Sequence, residues 1–483
     1  MKNIKISNLI TILILGMTVL YAFISIQKHY HFQTFGWDTA VFDQQIYFLS
    51  HFRAPYSSLM RMNDLGDHFQ LITIGLGAIS YWIWQNANTL FIIQALAGCF
   101  SAYPLYLISQ YLLGKTKLGE QKIGILSLII SFSYLLAVPF QSMLVDEFHN
   151  EPIILAPLIF VIYFALKKDW LGYWISFLIT ILNKEMIGFI GLPLAIITYL
   201  KTRNIRHSLA TLIVGVGTSL LLLFYIMPKI SGTSRYVHFG EGNNPSHLTS
   251  KFFGQPYSFI TEMVNTPVKR HTIYASLFSF GFIPLLAPTE LILPVFSLAI
   301  RFYDDSSIRL HAFNNHYAAP FFPLLAVCFV FGIYKLAKWL ENNGHLEKYW
   351  WTIGLYMLIF TTGQNYVFHG PINSLFKPSF YAVQQWEKDA HALIAQVPKT
   401  GVIASQNSLL PHLSQRDDFY LLPEIGAAEY IVVDLADGPN KFSPLTQAET
   451  VVMIKDLLEQ KKFEIIWQAN QSMLLKRLSP SSK

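Results

Sequence analysis

Residues 8–26 read NLITILILGMTVLYAFISI, without a charge, and the reading of this stretch decides the fold. A cleaved secretory signal has a shorter apolar core and a small-residue cleavage site behind it. Neither holds here, so the segment reads as a retained first membrane helix, for which ~20 apolar residues suffice. Composition agrees. Of 483 residues, 53% are apolar and 13% charged, where soluble domains carry roughly 25% charged residues. Aromatics reach 15%, which suits lipid and its interfaces. The net charge of +6 is no nucleic-acid signal, because the basic residues lie mostly between apolar runs. Cys99 and Cys328 lie inside such runs, so no structural disulfide is expected.

Further spans are expected at about 88–113, 123–140, 152–166, 171–183, 186–200, 207–227, 273–287, 289–301, 317–338 and 349–366. Several are short, and tilt or burial among neighbours would accommodate them. Basic clusters at Lys2/Lys5, Lys115–Lys122, Lys167/Lys168, Lys201–Arg206 and Lys335–Lys348 fall on one side if about eleven helices cross and the N-terminus is cytoplasmic. Counting 69–84 as a crossing would break that pattern, so it reads as a re-entrant or interfacial helix. Residues 27–87, 141–151, 228–272, 302–316 and the chain after 367 then lie outside, and the polar chemistry concentrates on that face. Residues 1–367 form the membrane domain and 368–483 a small α/β domain on the outside. In the latter, 380–396 and 448–460 read as helices, and 401–405, 429–435, 463–468 and 472–477 as strands.

Five clusters could carry chemistry. Asp38 and Asp43 lie in FGWDTAVFDQQ among aromatics. A carboxylate held there is partly desolvated and suited to accept a proton, or Asp38 simply caps the helix that follows. Asp64, Asp67 and His68, in NDLGDHF, form either a tight turn or a pair of metal ligands. VDEFHNEP packs Asp146, Glu147, His149 and Glu151 into one short turn between apolar runs, a costly placement that favours function. Lys184 and Glu185 interrupt a long apolar stretch, and Lys184 either is solvated or faces a polar cavity where it could hold a phosphate. RFYDDSSIRLHAFNNHYAAP, at 301–320, offers Arg301, Arg309, His311 and His316 to an anionic group. Nucleotide-binding loops, nucleophile elbows and zinc spacings are not found, and the inner loops are too short for a nucleotide-binding domain.

FGWDTAVFDQQIYFLSH (35–51), LGDHFQLI (65–72), VDEFHNEP (145–152), NKEMIG (183–188) and NNHYAAPFFPLL (314–325), in that order, resemble a bacterial and archaeal family of membrane proteins catalogued only as domain of unknown function 2079. The likeness extends to the tail, at ASQNSLLPHLSQRDDFYLLP (404–423). That family in turn resembles the GT-C glycosyltransferases, which include the protein mannosyltransferases and the lipid A aminoarabinose transferases. The resemblance implies that a polyprenyl-phosphate sugar is the donor, that a first-loop Asp is the base, and that transfer proceeds with inversion at the outer face. Asp38 maps onto that Asp by position, with Asp43 as competitor. Asp146 or Glu147 would supply the second acidic site. Lys184 matches a lysine near the donor phosphate in the aminoarabinose branch, with Arg309, His311 and His316 as further candidates. Thr39 stands where the mannosyltransferases carry a second acid, and Gly66-Asp67-His68 has no clear equivalent there.

The expected function is therefore membrane glycosyl transfer from a polyprenyl-phosphate sugar to an envelope glycan, lipid or protein. The partners are membrane lipids and these substrates, without nucleic acid. The cofactor is open, with a divalent metal, Mg or Mn, as the option. A transporter or flippase and a non-catalytic envelope assembly factor are the alternatives. The absence of an internal repeat and the charges at one face weigh against transport.

Overall fold

The computed structural model describes residues 6–232, 257, 261–303, 308–436 and 442–478. Asp304, Asp305 and most of the expected 228–272 loop lie outside them. The first apolar run forms the helix Ile6–Tyr30, with Lys28 and His29 in its last turn, where cations complement the helix dipole. Its Tyr21 and Ile24 are buried while Leu15 and Val19 are exposed, the pattern of a span with one face to lipid.

Among the described residues, four helices are long and apolar enough to cross a membrane: Asn8–Tyr30, Asn88–Leu113, Ile205–Ser231 and Phe321–Asn342. The pair Glu120–Leu135 and Val138–Val145, bent by 53°, makes a fifth if it is one span. The bend comes where Ala137 is extended and Pro139 occupies the first turn of the second helix. The expectation of about eleven full spans is thus met only in part. The segments near 171–183, 186–200 and 289–301 form shorter apolar helices, and 69–84 contains the helix Leu71–Tyr81, also too short to cross. These pack within the bundle. Gly188 and Gly191 meet Gly215 so closely that a Cβ on Gly215 would lie 2.6 Å from the Gly188 carbonyl oxygen. Phe321–Asn342, buried along most of its length, runs through the middle of the large core.

The tail forms one mixed sheet. After the hairpin β1 (Tyr56–Ser57) and β2 (Met62–Asn63) of the first loop, it holds β3 (Ile403–Ser405), β4 (Phe419–Leu421), β5 (Tyr430–Asp434), β6 (Phe463–Ala469) and β7 (Ser472–Arg477). The order is β4-β3-β5-β7-β6. β3 runs parallel to β4 and β5, while β7 is antiparallel to β5 and β6. Helices Gln385–Gln396 and Gln447–Glu459 form where the periodicity put them, each opened by a capping box. β4 escaped the sequence reading because it is a three-residue edge strand.

One apolar cluster of this unit is its own, built on Ile431, Val433, Ile454 and Leu475. The other is shared: Phe32 and Ala40 of the first loop pack with Leu393, Ile403, Leu410 and Val432. The tail is therefore docked on the same end of the bundle as the 31–87 loop. Cys99 and Cys328 are buried and free.

Candidate active site

Asp38 lies in a single π-helical turn, Gly36–Ala40, that leads directly into the helix Val41–Ser50. Such turns widen the helix and are frequent at functional sites. The turn is gripped from two sides. Glu147 Oε2 accepts from Phe35 N at 2.8 Å and from Thr39 Oγ1 at 2.9 Å. Asn407 Oδ1 accepts from Gly36 N at 2.9 Å. A Cβ on Gly36 would lie 2.9 Å from that same Asn407 oxygen, so glycine permits the close approach. Asp38 itself is half-buried, between these two clamps.

The turn that carries Glu147 follows the bent helix pair and is almost wholly buried. Burial, reinforced by the charge of Asp38, pushes Glu147 well above the usual carboxylate range. The hydrogen bonds from Phe35 and Thr39 favour the charged form and oppose this shift, but burial outweighs them. Asp146 behaves oppositely. Burial would raise it, but the hydrogen bond from His316 and the neighbouring His149 and Lys28 hold it below the ordinary range. His316 Nδ1 lies 3.4 Å from Asp146 Oδ2, and its ring stacks on His149 at 3.4 Å. Burial and the neighbouring His316 push His149 down to about 4, so it is neutral at neutral pH. One ligand atom from each of Asp146, His149 and His316 lies within 4.8 Å of the others. His149 Nε2 is buried without a hydrogen-bond partner.

Lys184 is partly buried and forms an ion pair with the buried carboxylate of Glu151. Burial opposes both charges, yet Lys184 holds Glu151 well below its ordinary range and Glu151 raises Lys184 in return. The next residue, Glu185, receives Phe69 N at 3.1 Å and faces His68 Nδ1 at 3.2 Å. Asp67 Oδ2 lies 3.6 Å from His68 Nε2. Asn183 accepts from Thr73 Oγ1 at 2.6 Å, and Asn150 donates to Gln70 at 3.1 Å. The five motifs thus form one network. Glu147 joins the third to the first, and His316 joins the fifth to the third. Lys184 joins the fourth to the third, and Glu185 joins the second to the fourth.

Not every candidate is in the centre. Asp43 is buried and accepts from Tyr81, from Ser414 Oγ at 2.5 Å and from Gln415 Nε2 at 3.0 Å. Burial raises it despite these three bonds. Arg301 does not snorkel. Its guanidinium donates to the carbonyls of Leu310 and Ala312 and shapes the segment ahead of His316. Arg309 stacks over Phe442 at 4.9 Å, and Phe442 packs edge-on against Phe35. The buried His311 packs against Phe302, and its carbonyl accepts from Thr272. Sequence reasoning missed Asn407 and Phe442. The only signal was the polar run SQNS after β3, at the end of a parallel strand, where sites of open α/β sheets form.

A family model described as "Predicted membrane protein (DUF2079)" matches residues 28–471. Against curated proteins the chain has no match in sequence. Among solved structures it is similar to ArnT from Cupriavidus metallidurans in the apo state, with 11% identity, TM-score 0.52, and 96% of this chain and 97% of that one covered. It is similar also to the same protein bound to undecaprenyl phosphate, with 11% identity, TM-score 0.53, and 97% and 98% covered. The Archaeoglobus fulgidus oligosaccharyltransferase in its apo form follows with 12% identity, TM-score 0.41, and 87% and 69% covered. At such identities the likeness to ArnT is one of fold.

Proposed function

The chain belongs to the DUF2079 family of predicted membrane proteins, and from that premise we propose that it is a membrane glycosyltransferase of the GT-C kind. It transfers a sugar from a polyprenyl-phosphate donor to an envelope acceptor at the outer face. The observation that carries this reading is the linkage of all five motifs into one network that reaches the Asp38 turn through Glu147, at one end of an apolar helical bundle with a GT-C-like fold. That place is where a lipid-borne donor presents its head. Charges at the helix ends, rather than within spans, support transfer over transport.

Asp38 is the base. It takes the proton of the acceptor hydroxyl as that oxygen attacks the anomeric carbon. The carbon–oxygen bond to phosphate breaks on the opposite face, and the lipid phosphate leaves with the electron pair. Glu147 and Asn407 orient Asp38 by holding its turn. The upward shift of Glu147 disfavours a second negative charge beside Asp38. The Lys184–Glu151 pair contributes a fixed dipole rather than a lone cation.

Asp146, His149 and His316 would hold a divalent metal, and the unpartnered buried nitrogen of His149 fits that role. Two imidazoles and one carboxylate suit Mn or Zn better than Mg, which takes oxygen ligands. A bound cation would stabilise negative charge on a phosphate.

The test compares envelope glycans and lipid-linked sugars by mass spectrometry in wild type, a deletion strain and the deletion carrying Asp38→Asn. The variant is expected to fold and insert while turnover falls at least ~100-fold, the lower range for a lost base. The donor lipid should accumulate in both mutants. Full repair of the deletion by Asp38→Asn sinks the assignment.

A further inference from the structure

Beside the Asp38 cluster, on the far side of Asp146, an open cavity of about 210 Å³ is lined by Lys28, Ser142, Asp146, Asn314, Phe368 and His369, among others. We infer that it is a binding pocket for a single sugar ring. The inference rests on the transferase reading and deepens it.

Its lining has the mixed chemistry that hydroxyl groups require. Lys28 and Asp146 offset each other in charge. Ser142, Asn314 and His369 offer donors and acceptors, and Phe368 offers a ring face. An anion site would show a surplus of cations, and a lipid-tail site would be apolar. The volume lies below the roughly 300–1,000 Å³ of drug-sized sites, the scale of one ring rather than a chain. It exceeds by far the ~10–15 Å³ a water needs.

The pocket is also built with some care. Lys28 Nζ donates to the carbonyls of Val145 and Asp146, at 2.5 and 2.9 Å, which fixes its charge at the wall. His369 has φ +51, a left-handed position after a helix where glycine or asparagine is usual. The turn is pinned by a costly polar network in the bundle. Gln141 donates to Asn365 at 2.6 Å and accepts from Ile372 N at 2.9 Å. Gly370 packs so closely that a Cβ would lie 2.3 Å from Asn365 Oδ1. Asp146 faces both this cavity and His316, so a ring bound here lies next to the motif network.

The experiment is saturation-transfer NMR on the full-length protein in nanodiscs, with a panel of methyl pyranosides and the matching pyranose 1-phosphates as probes. Asn314→Ala and His369→Gly are the variants. Asn314 is exposed, and glycine favours the left-handed turn, so both should fold. The expected result is binding of at least one sugar by wild type and a loss of about fivefold or more in affinity in each variant, the scale of one hydrogen bond. A 1-phosphate preferred over its methyl pyranoside marks the pocket as the donor's, and equal or weaker binding of the 1-phosphate marks it as the acceptor's. Sugar binding unchanged in both variants overturns the pocket and leaves the transferase reading standing. Binding of no sugar or sugar phosphate by wild type overturns both.

Discussion

At the residue scale the two first-loop carboxylates separate by environment. Asp38 is half-exposed in a clamped turn, whereas both oxygens of Asp43 are taken by three donors from other elements. A carboxylate so saturated acts as a tie. Asp43→Asn would place an amide nitrogen where at least one of those donors needs an acceptor. The expected result is a loss of about 1–3 kcal/mol of stability, the penalty for leaving a buried group unsatisfied. Thermal unfolding in detergent measures it, with residual activity in the molecules that fold. Lost activity at unchanged stability would instead make Asp43 the base. This distinction was invisible in FGWDTAVFDQQ. Two aspartates five residues apart differ only in what lies above each of them, and Tyr81, Ser414 and Gln415 are far away in sequence.

At the element scale the bundle depends on close approaches that composition only hints at. The helices Gly191–Thr202 and Ile205–Leu221 touch backbone to backbone at Gly191 and Gly215. Gly215→Ala should force them apart and cost about 1–3 kcal/mol, as overpacking does. Gly217→Ala, two residues on with nothing within 4 Å, should be neutral or slightly stabilising. Comparing melting temperatures of the two variants checks the argument, and equal effects would refute it. Helix lengths follow the same logic. An apolar run on paper does not say whether a helix crosses or stops halfway, because only neighbours decide whether a short one is covered.

At the scale of the whole molecule, the tail is joined to the bundle through a histidine-rich seam. His412 stacks on His29 at 4.0 Å, and His391 lies against Phe32 and bonds the Tyr30 carbonyl. The other groups facing this seam are Thr34, bonded to His29, and the His31–Glu387 pair at 2.9 Å. Burial, with His29 and His391 nearby, pushes His412 well below its ordinary 6.5, and burial also lowers His391. Both are neutral when docked. Below pH 6.5 the undocked chain takes up protons that the docked chain refuses, so docking weakens as pH falls. Limited proteolysis of 368–384 should therefore speed up between pH 7 and 5. His412→Phe, which keeps a ring and removes a titrating group, should flatten that dependence. An unchanged pH profile in the variant would remove His412 from the account.

What could be read from the chain alone was local or compositional. The apolar runs marked a membrane protein and its first span, because burying apolar surface is a property of composition. Local pattern along the chain placed both tail helices and four of the five tail strands. The five motifs named most of the residues that meet, since ionisable groups beside apolar runs are costly wherever the chain folds. What only the tertiary structure decided was partnership. It paired Lys184 with Glu151, grouped His316 with His149 and Asp146, and tied Asp43 to Tyr81, Ser414 and Gln415. It also brought Asn407 of the tail onto the Asp38 turn. Each of these depends on contacts between distant segments, and no periodicity or spacing along the chain encodes which buried charge will face which.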